Sequence, residues 1–253
     1  MIFELKDLVI GYPTHEVAGP MTVSLRQGEL CCLLGANGAG KSTLLRTLAA
    51  FQSPLSGDMF IDGRNLSEIS PRELSTMVGI VLTDRIRMTG ITVRDMVAMG
   101  RSPYTNFWGR LTDEDHRLVD EAMQLVGIAD FANRQIATLS DGERQKVMIA
   151  KALAQGTPII LLDEPTAFLD FPSKVEIMLL LSRLAHEMGK TIFLSTHDLD
   201  LALQTADRLW LMAKGEDRFA VGTPRELADQ LPRFFPSQHL TFDAETLRFS
   251  IRL

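Results

Sequence analysis

Nine consecutive residues constrain this chain more than any other feature. Gly35-Ala36-Asn37-Gly38-Ala39-Gly40-Lys41-Ser42-Thr43 follows the apolar run Leu30–Leu34 and opens a helical pattern over Lys41–Phe51. Glycines at this spacing let the backbone curl until its N–H groups converge, and the helix N-terminus adds the positive end of its dipole. This is a P-loop, a cradle for phosphate oxygens. Lys41 is placed to reach the β- and γ-phosphates, and the Ser42 hydroxyl to ligate Mg²⁺.

The rest of the pattern predicts an α/β layered fold around that loop. Val78–Leu82, Ile159–Leu162 and Thr191–Ser195 are further apolar runs of strand length. They are continuous, as suits parallel strands buried on both faces. Helical patterns over Glu143–Gln155 and Ser173–Met188 interleave with them. Residues 92–137 carry helical periodicity in Val93–Met99 and Asp115–Val126 without a strand, and read as an inserted helical lobe. Met1–Gln27 reads as β-rich, and residues 218–253 as a C-terminal extension. Alternation at Leu240, Phe242, Leu247, Phe249 and Ile251 predicts a terminal hairpin across Asp243–Thr246. The expected whole is a single domain over residues 1–253.

Composition sets the setting. With 26 Lys+Arg against 32 Asp+Glu the net charge is 26 − 32 = −6, which argues against nucleic acid as the partner. Residues 1–10 lack the basic start and apolar run of a leader, and no stretch approaches the ~20 apolar residues of a membrane span. Cys31 and Cys32 are adjacent inside an apolar run, where packing is expected and a mutual disulfide is not. Reduced cysteines and no export signal point to the cytoplasm.

A second chemical element ends the run Ile159–Leu162. Asp163 is positioned to hold Mg²⁺, directly or through water, and Glu164 to polarise an attacking water. Upstream, Ser140 and Glu143 form a capping box that starts a helix near Asp141; Ser70/Glu73, Thr112/Asp115 and Thr223/Glu226 are similar boxes. A cap alone is therefore uninformative. The position of Leu139-Ser140-Asp141-Gly142-Glu143, shortly before Ile159, carries the weight.

With these motifs in this order the chain resembles the nucleotide-binding subunits of ABC transporters, over roughly residues 1–226. The resemblance implies an ABC ATPase core with a mixed sheet, an N-terminal antiparallel β region and an inserted helical subdomain. It makes Tyr12 the aromatic that stacks on adenine, Asp170 of Ala167-Phe168-Leu169-Asp170 the D-loop carboxylate, and His197 the switch histidine that contacts the γ-phosphate. It implies two copies paired head to tail, so that Ser140, Gly142 and Glu143 serve the ATP of the opposite subunit. Catalysis then rests on Glu164, His197 and Lys41, and metal binding on Ser42, Asp163 and Thr83.

Met99-Gly100-Arg101-Ser102-Pro103-Tyr104 and Trp108-Gly109-Arg110-Leu111 narrow the resemblance to importers of iron–siderophore chelates, haem and cobalamin. That implies polytopic membrane permease subunits, indirectly a substrate-binding protein, and a place on the cytoplasmic face of the inner membrane. The permease is expected on the lobe surface near residues 85–108, with Arg101 and Trp108 taking part in the docking; packing within the lobe is the alternative for Tyr104, Phe107 and Trp108. A soluble ABC ATPase without a transporter, such as an iron–sulfur assembly subunit, is the alternative. Two positions depart from the family. Asp141 replaces the usual second-position glycine of the signature, and its carboxylate repels phosphate unless it points away. Thr83 stands where the Q-loop glutamine is expected, and its shorter side chain implies a weakened contact to Mg²⁺.

Overall fold

The chain opens on two long strands, β1 (Phe3–Tyr12) and β2 (His15–Leu25), followed by β3 (Leu30–Gly35) and α1 (Lys41–Leu48). Next come β4 (Ser56–Ile61), β5 (Arg64–Asn65), α2 (Pro71–Met77) and β6 (Val78–Val81). A helical stretch carries α3 (Val93–Ala98), α4 (Asp113–Leu125) and α5 (Asp141–Ala154). The chain then alternates through β7 (Ile159–Asp163), α6 (Phe171–His186), β8 (Thr191–Thr196), α7 (Leu199–Thr205) and β9 (Arg208–Met212). It ends with β10 (Phe219–Gly222), α8 (Leu231–Phe234) and a hairpin of β11 (Leu240–Asp243) and β12 (Arg248–Ile251). These elements are those of a computed structural model, which describes residues 3–82, 90–106, 108–214, 219–236 and 239–251.

The central sheet runs β10-β9-β3-β8-β7-β6, parallel except for β10, which pairs antiparallel with β9. It is the mixed sheet expected for the fold. Strands β3 and β8 are buried at every position, which is why they read as continuous apolar runs. Strand geometry sends alternate residues to opposite faces. Cys31 and Leu33 enter a core with β1, β4 and α1, whereas Leu30, Cys32 and Leu34 enter one with α5 and α6. The two cysteines thus face apart, free and buried, and burial pushes both thiols well up, leaving them neutral packing groups.

A second sheet, β2-β1-β4-β5, is antiparallel throughout. It takes in β4 and β5 from beyond α1, so the N-terminal β region is not contiguous in sequence. The terminal hairpin forms as predicted, with Thr241 opposite Ser250, and Asp243 Oδ1 accepts from the Glu245 and Thr246 N–H groups to make its turn.

Between β6 and α5 the described residues form helices and turns, and the β-pairing they show is an isolated bridge of Thr92 to Gln135 within the segment itself. Reciprocal capping boxes start α3 at Thr92/Asp95, α4 at Thr112/Asp115 and α5 at Ser140/Glu143. Val93, Met96, Val119 and Met123 share one core cluster with Leu34 and Leu162 of the sheet, so these helices are welded to the face that carries the site. No helix among the described residues is long and apolar enough to cross a membrane.

Arg101 departs from expectation. It is 7% exposed, not a surface group. Its Nε donates to Asp115 Oδ1 at 2.7 Å, its Nη1 to the Ala154 carbonyl at 2.8 Å, and its guanidinium lies 4.0 Å from the Tyr104 ring centroid. The preceding glycine explains the burial: a Cβ at Gly100 would stand 2.2 Å from the Lys151 carbonyl, so the chain runs flush against α5. The next side chain is driven inward.

Candidate nucleotide site

The glycine loop is shaped by what crowds it. At Gly35 a Cβ would stand 2.3 Å from the Met212 carbonyl of β9, and at Gly40, where φ is 103°, it would stand 2.5 Å from Val17 Cγ1. Only glycine meets either demand. The contact with Val17 lays the β1–β2 hairpin over the loop, and Tyr12, 47% exposed, stands at the end of β1 where that hairpin turns. Lys214 Nζ reaches to 3.2 Å of a Cβ position at Gly38, a cation beside the loop that no motif pointed to.

Lys41, Ser42, Asp163, Glu164 and His197 converge at the carboxyl ends of β3, β7 and β8. Lys41 Nζ donates to the Gly35 and Ala36 carbonyls at 2.8 and 3.4 Å, held inside the loop. Burial lowers its pKa, and the carboxylates of Glu164 and Asp163 oppose that shift. Ser42 Oγ lies 3.4 Å from Asp163 Oδ1. Glu164 Oε1 is 2.5 Å from His197 Nε2. Adjacent parallel strands account for the pairing: Asp163 is in register with Ser195, so the residues just beyond each strand end meet.

Ser195 is the residue that sequence reasoning missed. Fully buried, it donates its hydroxyl to Asp163 Oδ1 at 2.7 Å and accepts from the Glu164 N–H at 3.0 Å. The same N–H also reaches the Ser195 carbonyl at 3.1 Å. These bonds hold Glu164 at a φ of 47°, in the left-handed region that turns its carboxylate out of strand direction toward His197. The available signal was weak: Ser195 ends the apolar run Ile192–Leu194 and leads directly into the polar Thr196-His197-Asp198.

Ser42 and Asp163 offer an alcohol and a carboxylate oxygen at one point beside the phosphate loop. That donor set fits Mg²⁺, which takes oxygen ligands and is usually held by one or two protein groups together with substrate phosphates and water. Among the described residues no cluster of three or more His, Cys, Asp or Glu side chains offers a competing metal cage. Thr83, the third expected ligand, lies outside the described residues.

The signature residues sit apart from this group. Ser140 caps α5, its N–H donating to Glu143 Oε2 at 2.8 Å while the Glu143 N–H donates to Ser140 Oγ at 3.2 Å. Glu143 Oε1 pairs with Arg134 at 3.0 Å, so both carboxylate oxygens are engaged within the chain. Asp141 is paired within the chain: its Oδ1 accepts from Arg144 Nη1 at 2.7 Å, while Arg144 Nη2 donates to the Leu139 carbonyl at 2.9 Å. A neutralised carboxylate costs little repulsion, which accounts for aspartate at this position. Gly142 faces the start of α6, where a Cβ would come 3.3 Å from Ser173 Oγ. Asp170 caps that helix by accepting from the Ser173 N–H at 3.2 Å, and these Ser173 hydrogen bonds lower its pKa. Asp198, next to His197, ties the two regions together: its carboxylate accepts from Thr166 Oγ1 at 2.6 Å and Lys174 Nζ at 2.8 Å.

Comparison with known proteins places this geometry in context. The family model described as ABC transporter matches residues 19–167. The ferric enterobactin transport ATP-binding protein FepC of Escherichia coli is 36% identical over 240 residues, covering 94% of this chain and 88% of that protein. Among solved structures, an inward-facing conformation of a metal-chelate type ABC transporter superposes with a TM-score of 0.80 at 25% identity, covering 98% of this chain and 94% of that one. The dimeric structure of MJ0796, a bacterial ABC transporter cassette, gives a TM-score of 0.73 at 28% identity and covers 87% of this chain and 98% of that one.

Proposed function

The chain belongs to the ABC transporter family as an ATP-binding, ATP-hydrolysing domain, and from that premise we propose that it powers import of a metal chelate through separate membrane subunits. The ferric siderophore, haem or cobalamin class is the proposed cargo. The observation that carries the ATPase half is the Glu164–His197 pair at the strand ends beside Lys41. The import half is supported by the likeness to a ferric enterobactin transport protein along nearly the whole chain.

In this reading the loop N–H groups and Lys41 neutralise the β- and γ-phosphates, and Tyr12 stacks on the base. Ser42 and Asp163 hold Mg²⁺, which offsets phosphate charge. Glu164 takes the proton of the attacking water, and His197 steadies both that carboxylate and the γ-phosphate. One copy supplies only half of each site. Ser140, Gly142 and the N-terminus of α5 cap the γ-phosphate bound by the partner, and Asp170 lines the seam between the two.

Lys41→Ala is expected to weaken ATP binding about 10- to 150-fold, the loss of one charge-assisted contact of roughly 1.5–3 kcal/mol. Titration calorimetry reads this directly, and unchanged affinity would remove Lys41 from the phosphate site.

The membrane subunit docks on the lobe side. Trp108 is 79% exposed, and Met99 and Tyr104 are also exposed beside it in sequence. The 99–104 segment packs on α2, which with the exposed Phe51 lines an apolar groove of about 290 Å³ at edge strand β6. Such an apolar face suits a helix from a partner. Trp108→Ala is expected to cut chelate uptake at least about tenfold in proteoliposomes while basal ATPase stays within twofold, since an anchor aromatic is worth roughly 2 kcal/mol or more. Equal loss of both would assign Trp108 to lobe packing. The importer reading as a whole is tested by co-expression with multi-span permease subunits of the ferric siderophore, haem and cobalamin import class. Co-purification and ATP-dependent uptake of a labelled chelate are expected; failure of the chain to bind the permease would defeat it.

A further inference from the structure

Apolar surface remains on a face that neither the nucleotide site nor the permease surface uses. Phe171, Val175 and Leu179 stand four residues apart on α6 and so share one side of the helix. Phe171 is 69% and Leu179 56% exposed. With Phe249 of β12 they line a groove of about 520 Å³. Asp200 of α7 and Arg248 of β12 also line it, and neither is engaged in an ion pair among the described residues.

This groove begins where the proposed subunit seam ends. Phe171 follows Asp170 directly, and the signature turn already lies against the same helix start, since a Cβ at Gly142 would be 3.3 Å from Ser173 Oγ. The charges say what covers it. An apolar patch carrying one charge of each sign is complementary to itself: a two-fold axis sets Asp200 of one copy against Arg248 of the other, and makes the pair twice. Resting on the head-to-tail pairing proposed above, we infer that the groove between α6, α7 and the C-terminal hairpin is occupied by the same face of a second copy of this chain. The hairpin thereby extends the ATP-dependent dimer interface beyond the nucleotide seam.

The test uses the full chain carrying Glu164→Gln, with ATP and Mg²⁺, and measures the dimer dissociation constant by sedimentation velocity. Arg248→Asp and Asp200→Arg should each weaken the dimer about tenfold or more, because each sets two like charges against one another. The double exchange should return it to within about threefold of the parent. Leu179→Asp, at an exposed position that folding does not require, should weaken it as well. If the parent does not dimerise with ATP, the head-to-tail reading itself fails. If the parent dimerises and the single reversals match it, or the double exchange does not restore it, the groove is not the interface and this inference is overturned.

Discussion

A Glu164→Gln chain is expected to bind ATP and Mg²⁺ as tightly as wild type and to hydrolyse ATP at least about 10²-fold more slowly, the lower end of what a positioned base contributes. The substitution is nearly isosteric. Glu164 is held by its backbone N–H to the Ser195 carbonyl and hydroxyl, bonds that any side chain leaves in place. An amide oxygen can still accept from His197 Nε2, so the strand ends stay as they are. What goes is the ability to take a proton from water. Lys41, Ser42 and Asp163 lose nothing, and the ATP-bound state accumulates. Size-exclusion chromatography with ATP and Mg²⁺ should therefore show more dimer than wild type. Hydrolysis within a factor of two of wild type would show that another group activates the water.

Legibility in the sequence followed the physics of each element. Residues 35–43 declare themselves because a phosphate cradle needs glycines at fixed spacing between a strand and a helix, and β3, β7 and β8 because burial on both faces leaves no polar positions. Strand β9 has the same apolar character in Leu209–Met212, but it begins at Arg208 and follows a helix of only seven residues, too short for a clear period. Strands β4 and β5 are brief and largely exposed, so alternation has no room to show. At the site, motif spacing singled out Lys41, Ser42, Asp163, Glu164 and His197, which the fold brings together, whereas residues that act by contact went unremarked. Ser195 and Arg144 act through a register and through an i,i+3 ion pair that links Asp141 to the first turn of α5. Neither partnership has a spacing rule specific enough to read alone. Arg101 misled for a related reason: arginine is usually exposed, and only the contact of Gly100 with α5 shows that here the side chain turns inward.

That buried arginine carries the largest expected effect on stability. Arg101 and Asp115 have side chains 8% and 6% exposed and meet at 2.7 Å, tying the 99–104 segment to α4 and, through the Ala154 carbonyl, to the end of α5. Asp115 also accepts from the Thr112 N–H and hydroxyl as the α4 capping box. Removing the cation alone leaves a buried carboxylate uncompensated, which costs about 3–5 kcal/mol. Arg101→Ala should then lower Tm by about 6–20 °C for a domain of this size, read by calorimetry. Arg101→Met with Asp115→Asn should recover part of that loss, because no lone charge is left behind. The pH dependence has a definite sign. The Thr112 backbone hydrogen bond first, and Arg101 next, hold the Asp115 pKa at about 2, below its unfolded value of 3.8. Stabilisation by a depressed carboxylate is present above pH ~4 and is lost as pH falls toward 2. Without Arg101 the folded pKa should rise toward the unfolded value, so the acid-side fall in Tm should flatten. A variant that kept its Tm within 2 °C and lost only chelate uptake would return Arg101 to the docking surface and undo the packing account of this segment.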